Sequence, residues 1–186
     1  MKRAICLVFL LAVLSGCAKD NKELERGMAL RSSVLKAEAC SFRADITADY
    51  GDKIQQFSMD CQADRDGTLV FCVSAPETIA GITGRIDEEG GALTFDDVAL
   101  HFYLLADETL SPVSAPWVLM KTLRSGYLTT AGMDGERLQL TIHDSYEEDA
   151  LQVDIWLNEE DLPVAADILH EGRRILSLDI KDFVLS

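Results

Sequence analysis

The chain has 186 residues and a formal charge of −15, from 17 Lys and Arg against 32 Asp and Glu. So acidic a surface repels phosphates and anionic headgroups, which argues against nucleic acid as a partner and against a basic patch as a membrane anchor. Hydrophobic residues make up 48% of the chain, too many for disorder and enough for a packed domain.

The first segment reads as a targeting signal. Lys2 and Arg3 precede an unbroken apolar run over 4–14. A basic start and a short apolar run are the pattern of a secretory signal. The run is shorter than the about 20 residues that a membrane-spanning helix needs. It ends in Leu14-Ser15-Gly16-Cys17, which resembles the bacterial lipobox. That resemblance implies cleavage after Gly16 and a diacylglycerol on Cys17, which becomes the acylated N-terminus. The expected organisation is a lipoprotein signal peptide over 1–16, a lipidated tether over 17–21 and one domain over 22–186. Its expected place is extracytoplasmic, held to a bacterial membrane by acyl chains. In a Firmicute this is the outer face of the cytoplasmic membrane. In a Gram-negative cell the absence of Asp after Cys17 permits the outer membrane.

The domain opens with a helix expected over 22–36, with an apolar stripe of Leu24, Met28 and Leu35, joined by Leu30. Gly27 weakens it. From Cys40 the period changes to two. Cys40, Phe42, Ala44 and Ile46 alternate with polar residues, as do Phe57, Met59 and Cys61 after the turn Tyr50-Gly51-Asp52-Lys53. Asp64-Arg65-Asp66-Gly67 is a second turn, followed by Leu69, Phe71 and Val73. Two hairpins in series are expected. Pro76 closes the third strand, and 77–82 reads as a short helical turn.

Further strands are expected at 84–87, 92–95 and 98–104. The segment 111–125 breaks the rhythm with a second helix. Ser114 is placed to cap it, Pro116 fits its first turn and Gly126 ends it. Trp117, Met120 and Leu123 share one side of that helix. Strands resume at 127–133, 137–143, 151–157, 164–170 and 174–185. Leu138, Leu140 and Ile142, then Val153 and Ile155, are cleanly one-sided, so one sheet face meets water and the other packs on something apolar. Two helices are too few to form a second layer. The fold expected is mostly β, a single curved antiparallel sheet of about ten or eleven strands. It makes an open β-barrel wrapped around an N-terminal helix and a middle lid helix.

Catalytic patterns are absent. No Gly-x-Ser-x-Gly, His-Glu-x-x-His or glycine-rich phosphate loop occurs, and no enzyme is expected. His101, His143 and His170 stand on different strands as surface residues. The acidic runs Asp87-Glu88-Glu89, Glu147-Glu148-Asp149 and Glu159-Glu160-Asp161 fall in solvated turns. No Cys-x-x-Cys or complete calcium loop is present, so no metal or cofactor is implied. Cys40, Cys61 and Cys72 remain in the mature chain. The Gly51-Asp52 turn places Phe42 opposite Cys61 and Cys40 diagonal to it. That makes Cys40–Cys61 a candidate disulfide, with three separate buried thiols as the competing reading. Cys72 alternates with Phe71 and Val73, points to the other face and stays free.

The whole organisation resembles the LolA/LolB superfamily of lipoprotein carriers. The resemblance is carried by the N-terminal helix running into Phe42-Arg43-Ala44-Asp45-Ile46, the strand closed by Pro76, and the loop-helix beginning Ala115-Pro116-Trp117. Trp156 with Leu162-Pro163 and the closing strand 176–185 complete it. Pro76-Glu77-Thr78-Ile79-Ala80-Gly81-Ile82 is also similar to LolA-like lipoproteins of spore-forming Firmicutes, one of them a germination lipoprotein. The resemblance implies a half-barrel whose apolar concave face holds acyl chains. The proteobacterial soluble carriers have an arginine where this chain has Ala75, and a carrier is soluble whereas this chain reads as anchored.

The resemblance thus implies an anchored relative binding a lipid or lipoprotein acyl chain. The candidate cavity is lined by Phe42, Ile46, Phe57, Met59, Phe71, Ile79, Phe95, Phe102, Trp117, Met120, Leu140 and Ile155, with Trp117 and Met120 at the mouth or lid. The alternative is an interaction lipoprotein with a filled barrel, working through an envelope protein partner, for example in spore-envelope or germination assembly. A long apolar cavity favours the first. A filled barrel with an exposed apolar patch favours the second.

Overall fold

A computed structural model describes residues 20–95, 98–102, 105–106 and 109–186. The signal expected over 1–16 and the expected lipidation site Cys17 lie outside the described residues. Among the described residues, helix α1 (Asp20–Lys36) leads into thirteen strands, eleven of them in one sheet, and a second helix. The eleven begin with β1 (Ala39–Asp49), β2 (Ile54–Asp64), β3 (Leu69–Ala75), β4 (Thr83–Asp87), β5 (Gly90–Phe95) and β6 (Val98–Phe102). After the helix come β9 (Tyr127–Asp134), β10 (Arg137–His143), β11 (Gln152–Leu157), β12 (Pro163–His170) and β13 (Arg173–Leu185). Between β6 and the second helix lies a minor hairpin, β7 (Leu105–Ala106) and β8 (Thr109–Leu110), which sequence periodicity does not signal. Helix α2 (Ala115–Ser125) follows a 3-10 turn, Pro112–Ser114.

These eleven strands form one antiparallel sheet in the order β6-β5-β4-β3-β2-β1-β13-β12-β11-β10-β9. It is a meander with one long-range join, where the C-terminal strand pairs with the first, Ile46 opposite Leu178 and Ala44 opposite Ile180. Ser186 fastens that join through backbone bonds with Ala39 and Glu38. The ends, β6 and β9, are not paired with each other. The sheet is therefore open, as the one-sided strands implied.

Hairpin register follows turn chemistry. Gly51 sits at φ +90°, a backbone region that glycine enters without cost, and the turn it makes sets Phe42 opposite Cys61 as expected. The segment after Pro76 makes two successive turns, Ile79 N–H to the Pro76 carbonyl and Ile82 N–H to the Ile79 carbonyl, with no α-helix.

The stripe expected on α1 is corrected. Leu24, Met28 and Leu35 are exposed, and the face turned inward carries Leu30, Val34 and Gly27. Gly27 is the reason. A Cβ built there would stand 2.8 Å from Leu140 Cδ2 and 3.3 Å from Leu128 Cδ2. The helix axis can approach β10 this closely only where the side chain is missing. A residue that weakens the helix in isolation thus sets its packing face.

Candidate functional site

The site the sequence points to is the apolar face of the sheet, and it can be followed strand by strand. Cross-strand partners share a face. Leu69 pairs with Ile86, Ile86 with Gly91 and Gly91 with Phe102. A parallel row runs Phe71, Gly84, Leu93, Leu100. Across the centre Ile46, Met59, Leu140, Ile155 and Leu178 lie on this face, all buried. The face is continuous from β9 to β6.

Helix α2 fills its centre. Ala115, Pro116, Trp117, Val118, Leu119, Met120, Thr122 and Leu123 are all buried. Only Lys121, Arg124 and Ser125 form a polar edge that is half-buried or exposed, while the rest of the helix is enclosed, the pattern of a helix seated in a core. The buried set is wider than the side that Trp117, Met120 and Leu123 share, since Val118 and Leu119 are buried as well. Ser114 does not cap α2 with its side chain. Its Oγ–H donates instead to the Ser111 carbonyl at 2.6 Å, within the 3-10 turn that starts the helix.

Fixed polar contacts hold α2 in place. Trp117 Nε1–H donates to the Gly67 carbonyl at 3.0 Å, tying the helix to the β2–β3 turn. Arg31 of α1 donates from Nε to the Leu123 carbonyl at 2.8 Å and from Nη2 to Thr122. The Leu123 carbonyl lies in the last turn, where carbonyls run out of intrahelical donors, and the Thr122 carbonyl also accepts from the Gly126 N–H at 2.9 Å, so the guanidinium completes the last turn. Burial lowers the pKa of Arg31 from its ordinary value. Arg26 pairs with Asp161 at 2.6 Å and anchors α1 to the β11–β12 turn. Tyr50 O–H donates to the Leu110 carbonyl at 2.7 Å, and burial raises its pKa.

Most of the twelve candidate lining residues are therefore packed against one another and against α2. Phe42, Ile46, Phe57, Met59, Phe71, Trp117, Met120, Leu140 and Ile155 belong to one buried cluster, with Ile79 and Phe102 packed at its margin. Trp117 and Met120 do not form a lid over a cavity. They border a recess of 170 Å³ beside Arg65, Lys121 and Arg124. Lys121 Nζ stands 5.1 Å from the Trp117 ring, within cation–π range. Larger hollows lie elsewhere. One of 610 Å³ opens among the outward residues Asp60, Gln62, Cys72, Thr83 and Arg85. Another, of 650 Å³, lies by His170 and the turn carrying Glu147 and Asp149. Among the described residues no group of three or more His, Cys, Asp or Glu converges to hold a metal.

Phe95 is a correction. It is 50% exposed, and with Val98 at 60% and Leu100 at 64% it forms an uncovered apolar shelf on β5 and β6. The register puts Phe95 opposite Val98 and Leu93 opposite Leu100, so the shelf continues the inner face across β5 and β6. Val98 and Leu100 were legible in the alternation of β6, yet sequence reading did not count them with the site. Two ring-on-glycine contacts hold this end together. A Cβ at Gly91 would strike the Phe102 ring, and one at Gly84 would strike the Phe71 ring.

The candidate disulfide is also corrected. Cys40 and Cys61 are free, buried thiols, and Cys72 is a half-buried free thiol on the outward face. The directly opposed partners are Cys40 with Ala63 and Cys61 with Phe42, so the two thiols are diagonal neighbours, a marginal geometry for a bridge. Burial pushes the Cys40 thiol up to about 12 and raises that of Cys61 further.

No family model matches the chain, and no curated protein matches it. Solved structures do. The chain is similar to a conserved protein of Thermus thermophilus, with 10% identity, a TM-score of 0.48, and 86% of each chain covered. A LolA superfamily protein from Nitrosomonas europaea is similar at 9% identity and a TM-score of 0.46, over 86% of this chain and 93% of that one. Mycobacterium tuberculosis lipoprotein LppX is similar at 10% identity and 0.42, over 87% of this chain and 93% of that one. Each likeness is one of chain course, at an identity too low to carry any residue's role across.

Proposed function

We propose that this chain is a lipid-anchored, extracytoplasmic interaction lipoprotein. Cys17 carries the acyl chains, and the half-barrel works by binding a partner at its surface, without catalysis. One observation supports this reading above the others. The chain's own helix α2 occupies the concave face with all its large apolar side chains buried, while the same apolar face runs on uncovered across β5 and β6.

Magnitudes favour it over ligand capture. Removing α2 from its seat exposes Trp117, Val118, Leu119, Met120 and Leu123. At about 1.5–3 kcal/mol for each large side chain, the cost is on the order of 10 kcal/mol, comparable with the whole stability of a domain. The second reading is capture of an acyl chain in place of α2. What favours it is the apolarity of that seat, in which Thr122 is the one polar residue of α2 that is buried.

Native mass spectrometry of the full chain, released from detergent, separates the two. The interaction reading expects covalent lipid mass on Cys17 and nothing held non-covalently. A lipid retained through several detergents would establish capture instead. Anchoring is tested by Cys17→Ala, which is expected to abolish palmitate labelling and release the chain from membranes or leave it unprocessed. Unchanged labelling would refute the anchor.

A further inference from the structure

We infer that the free edge of β6 is a strand-addition site that takes an extended, basic segment of a partner protein and seats its apolar side chains on the Leu93–Phe95–Val98–Leu100 shelf. The inference rests on the interaction reading above and names its partner's chemistry.

The first support is the contrast between the two ends of the sheet. Strand β9 is guarded, since α1 packs against it and its pairing with β10 carries a bulge between Thr141 and Ile142. Bulges and covering helices are how proteins keep an edge from pairing with other chains. Strand β6 has neither among the described residues. It pairs with β5 in unbroken register from Phe95–Val98 to Gly91–Phe102, and no strand among the described residues pairs with its other side. It also lacks the side chains that blunt an edge. Val98-Ala99-Leu100-His101-Phe102 contains no Pro, Lys, Arg, Asp or Glu. Alternate residues of such a strand leave their N–H and C=O outward, a ready template for another extended backbone.

The second support is the shelf itself. Val98 and Leu100 stand on the inner face beside Phe95 and Leu93. A strand added to β6 would place every second side chain on that face, next to Val98 and Leu100. The geometry therefore asks for a partner segment with apolar residues at alternate positions, four to six residues long to match β6.

Charge decides the rest. Between Arg85 and Lys121 the chain has no Lys or Arg and seven Asp or Glu. Asp87, Glu88 and Glu89 lie in the β4–β5 turn, beside the Phe102 end of β6, because Gly91 pairs with Phe102. Asp96 and Asp97 immediately precede Val98 in sequence. Arg85 stands 3.6 Å from Asp87 and offsets one of these charges. Acid thus stands at the Phe102 end of the edge in the fold and next to Val98 in the sequence. A second copy of this chain, itself at −15, would bring like charges together along such a pairing. Lys or Arg at the ends of the incoming segment would meet opposite charge.

The test uses the full chain in non-ionic detergent and a fluorescent synthetic peptide of alternating Val and Thr with two Lys at each end, read by anisotropy. The expected result is saturable binding that weakens at least tenfold in Leu100→Lys and in Val98→Lys, and is unchanged in Val184→Lys, an exposed site on β13. A peptide with Asp in place of Lys, and one N-methylated at alternate residues, are each expected to bind at least tenfold more weakly. Circular dichroism and thermal melts verify that the variants fold. Equal binding by the N-methylated peptide, or by Leu100→Lys, would overturn strand addition. A concentration-dependent dimer in sedimentation, lost in Leu100→Lys, would make a second copy the occupant and overturn the basic partner. No peptide binding with no retained lipid would refute this edge alone. No peptide binding with retained lipid would refute the interaction reading as well.

Discussion

Replacing Leu119 with Ala tests whether α2 is structural filling. Leu119 is fully buried in the middle of α2. The substitution removes about three carbon groups, a transfer loss of about 2.4 kcal/mol at about 0.8 kcal/mol for each. The space left adds to that, so the total is about 3–4 kcal/mol, inside the range of about 2–5 kcal/mol for buried Leu to Ala. In a domain of this size, 1 kcal/mol moves the melting temperature by about 2–4 °C, so the shift expected is about 6–16 °C downward. Urea unfolding of the full chain in detergent, followed by Trp117 fluorescence, measures it, with Leu35→Ala on the exposed face of α1 as the reference at under about 0.5 kcal/mol. A loss below about 1 kcal/mol for Leu119→Ala, with an unchanged denaturant slope, would refute the argument that α2 is part of the core. A helix that spends much of its time out of its seat gives that result.

Other perturbations follow from local geometry. Iodoacetamide at neutral pH is expected to modify Cys72 well before Cys40 and Cys61, because burial keeps those two thiols protonated; peptide mapping showing equal rates would contradict this. Their raised folded pKa means that the unfolded chain loses these protons first as pH passes about 8.5. Stability is then fully present below that pH and falls above it, by about 1.4 kcal/mol per pH unit for each thiol until the folded pKa is reached. Urea midpoints between pH 8 and 10.5 that fall no faster in wild type than in Cys61→Ala would contradict it. Gly84→Ala is expected to cost about 1–3 kcal/mol, since its Cβ meets both the Phe71 ring and, at 3.0 Å, the Ala92 carbonyl. Gly132→Ala, with nothing within 4 Å, is the thermal-melt comparison and should not lose stability. Asp45 accepts from Lys181 at 2.6 Å and from Ser58 at 2.6 Å, contacts that hold its pKa below the ordinary carboxylate value. That stability is present above about pH 4 and lost as pH falls through the depressed value. Because the pair is partly exposed, Lys181→Met should cost under about 1 kcal/mol at pH 7 in urea unfolding and nothing at pH 2; a cost that persists at pH 2 would show that the ion pair is not its source.

The strands were legible because a half-buried strand must alternate. Phe57-Ser58-Met59-Asp60-Cys61 and Leu138-Gln139-Leu140-Thr141-Ile142 place every apolar side chain inward, and two-residue turns then fix the pairing. Closure of β1 on β13 was not legible, since nothing local in 39–49 refers to a strand more than a hundred residues away. On α1 the most hydrophobic stripe, Leu24, Met28 and Leu35, is the exposed one. Hydropathy gives Gly27 no weight, whereas close packing on Leu140 makes it the centre of the buried face. On α2 the side shared by Trp117, Met120 and Leu123 is only part of the buried surface, because the curved sheet also encloses Val118 and Leu119 and leaves a narrow polar edge of Lys121, Arg124 and Ser125. The shelf was half visible. Phe95 stands on the inner face, but that it is uncovered there depends on which elements pack over β5, which no local pattern records.

Whether α2 is an integral part of a filled half-barrel decides between partner binding and lipid capture. Hydrogen exchange of the full chain in detergent, read peptide by peptide, measures this directly. The prediction is that amides of 117–125 exchange as slowly as those of β1 and β13, opening only with global unfolding, and that added fatty acid leaves their rates unchanged. Exchange of α2 many times faster than of β1, or release of its protection by fatty acid while the sheet stays protected, would contradict the filled half-barrel and make α2 a lid over an acyl-chain site.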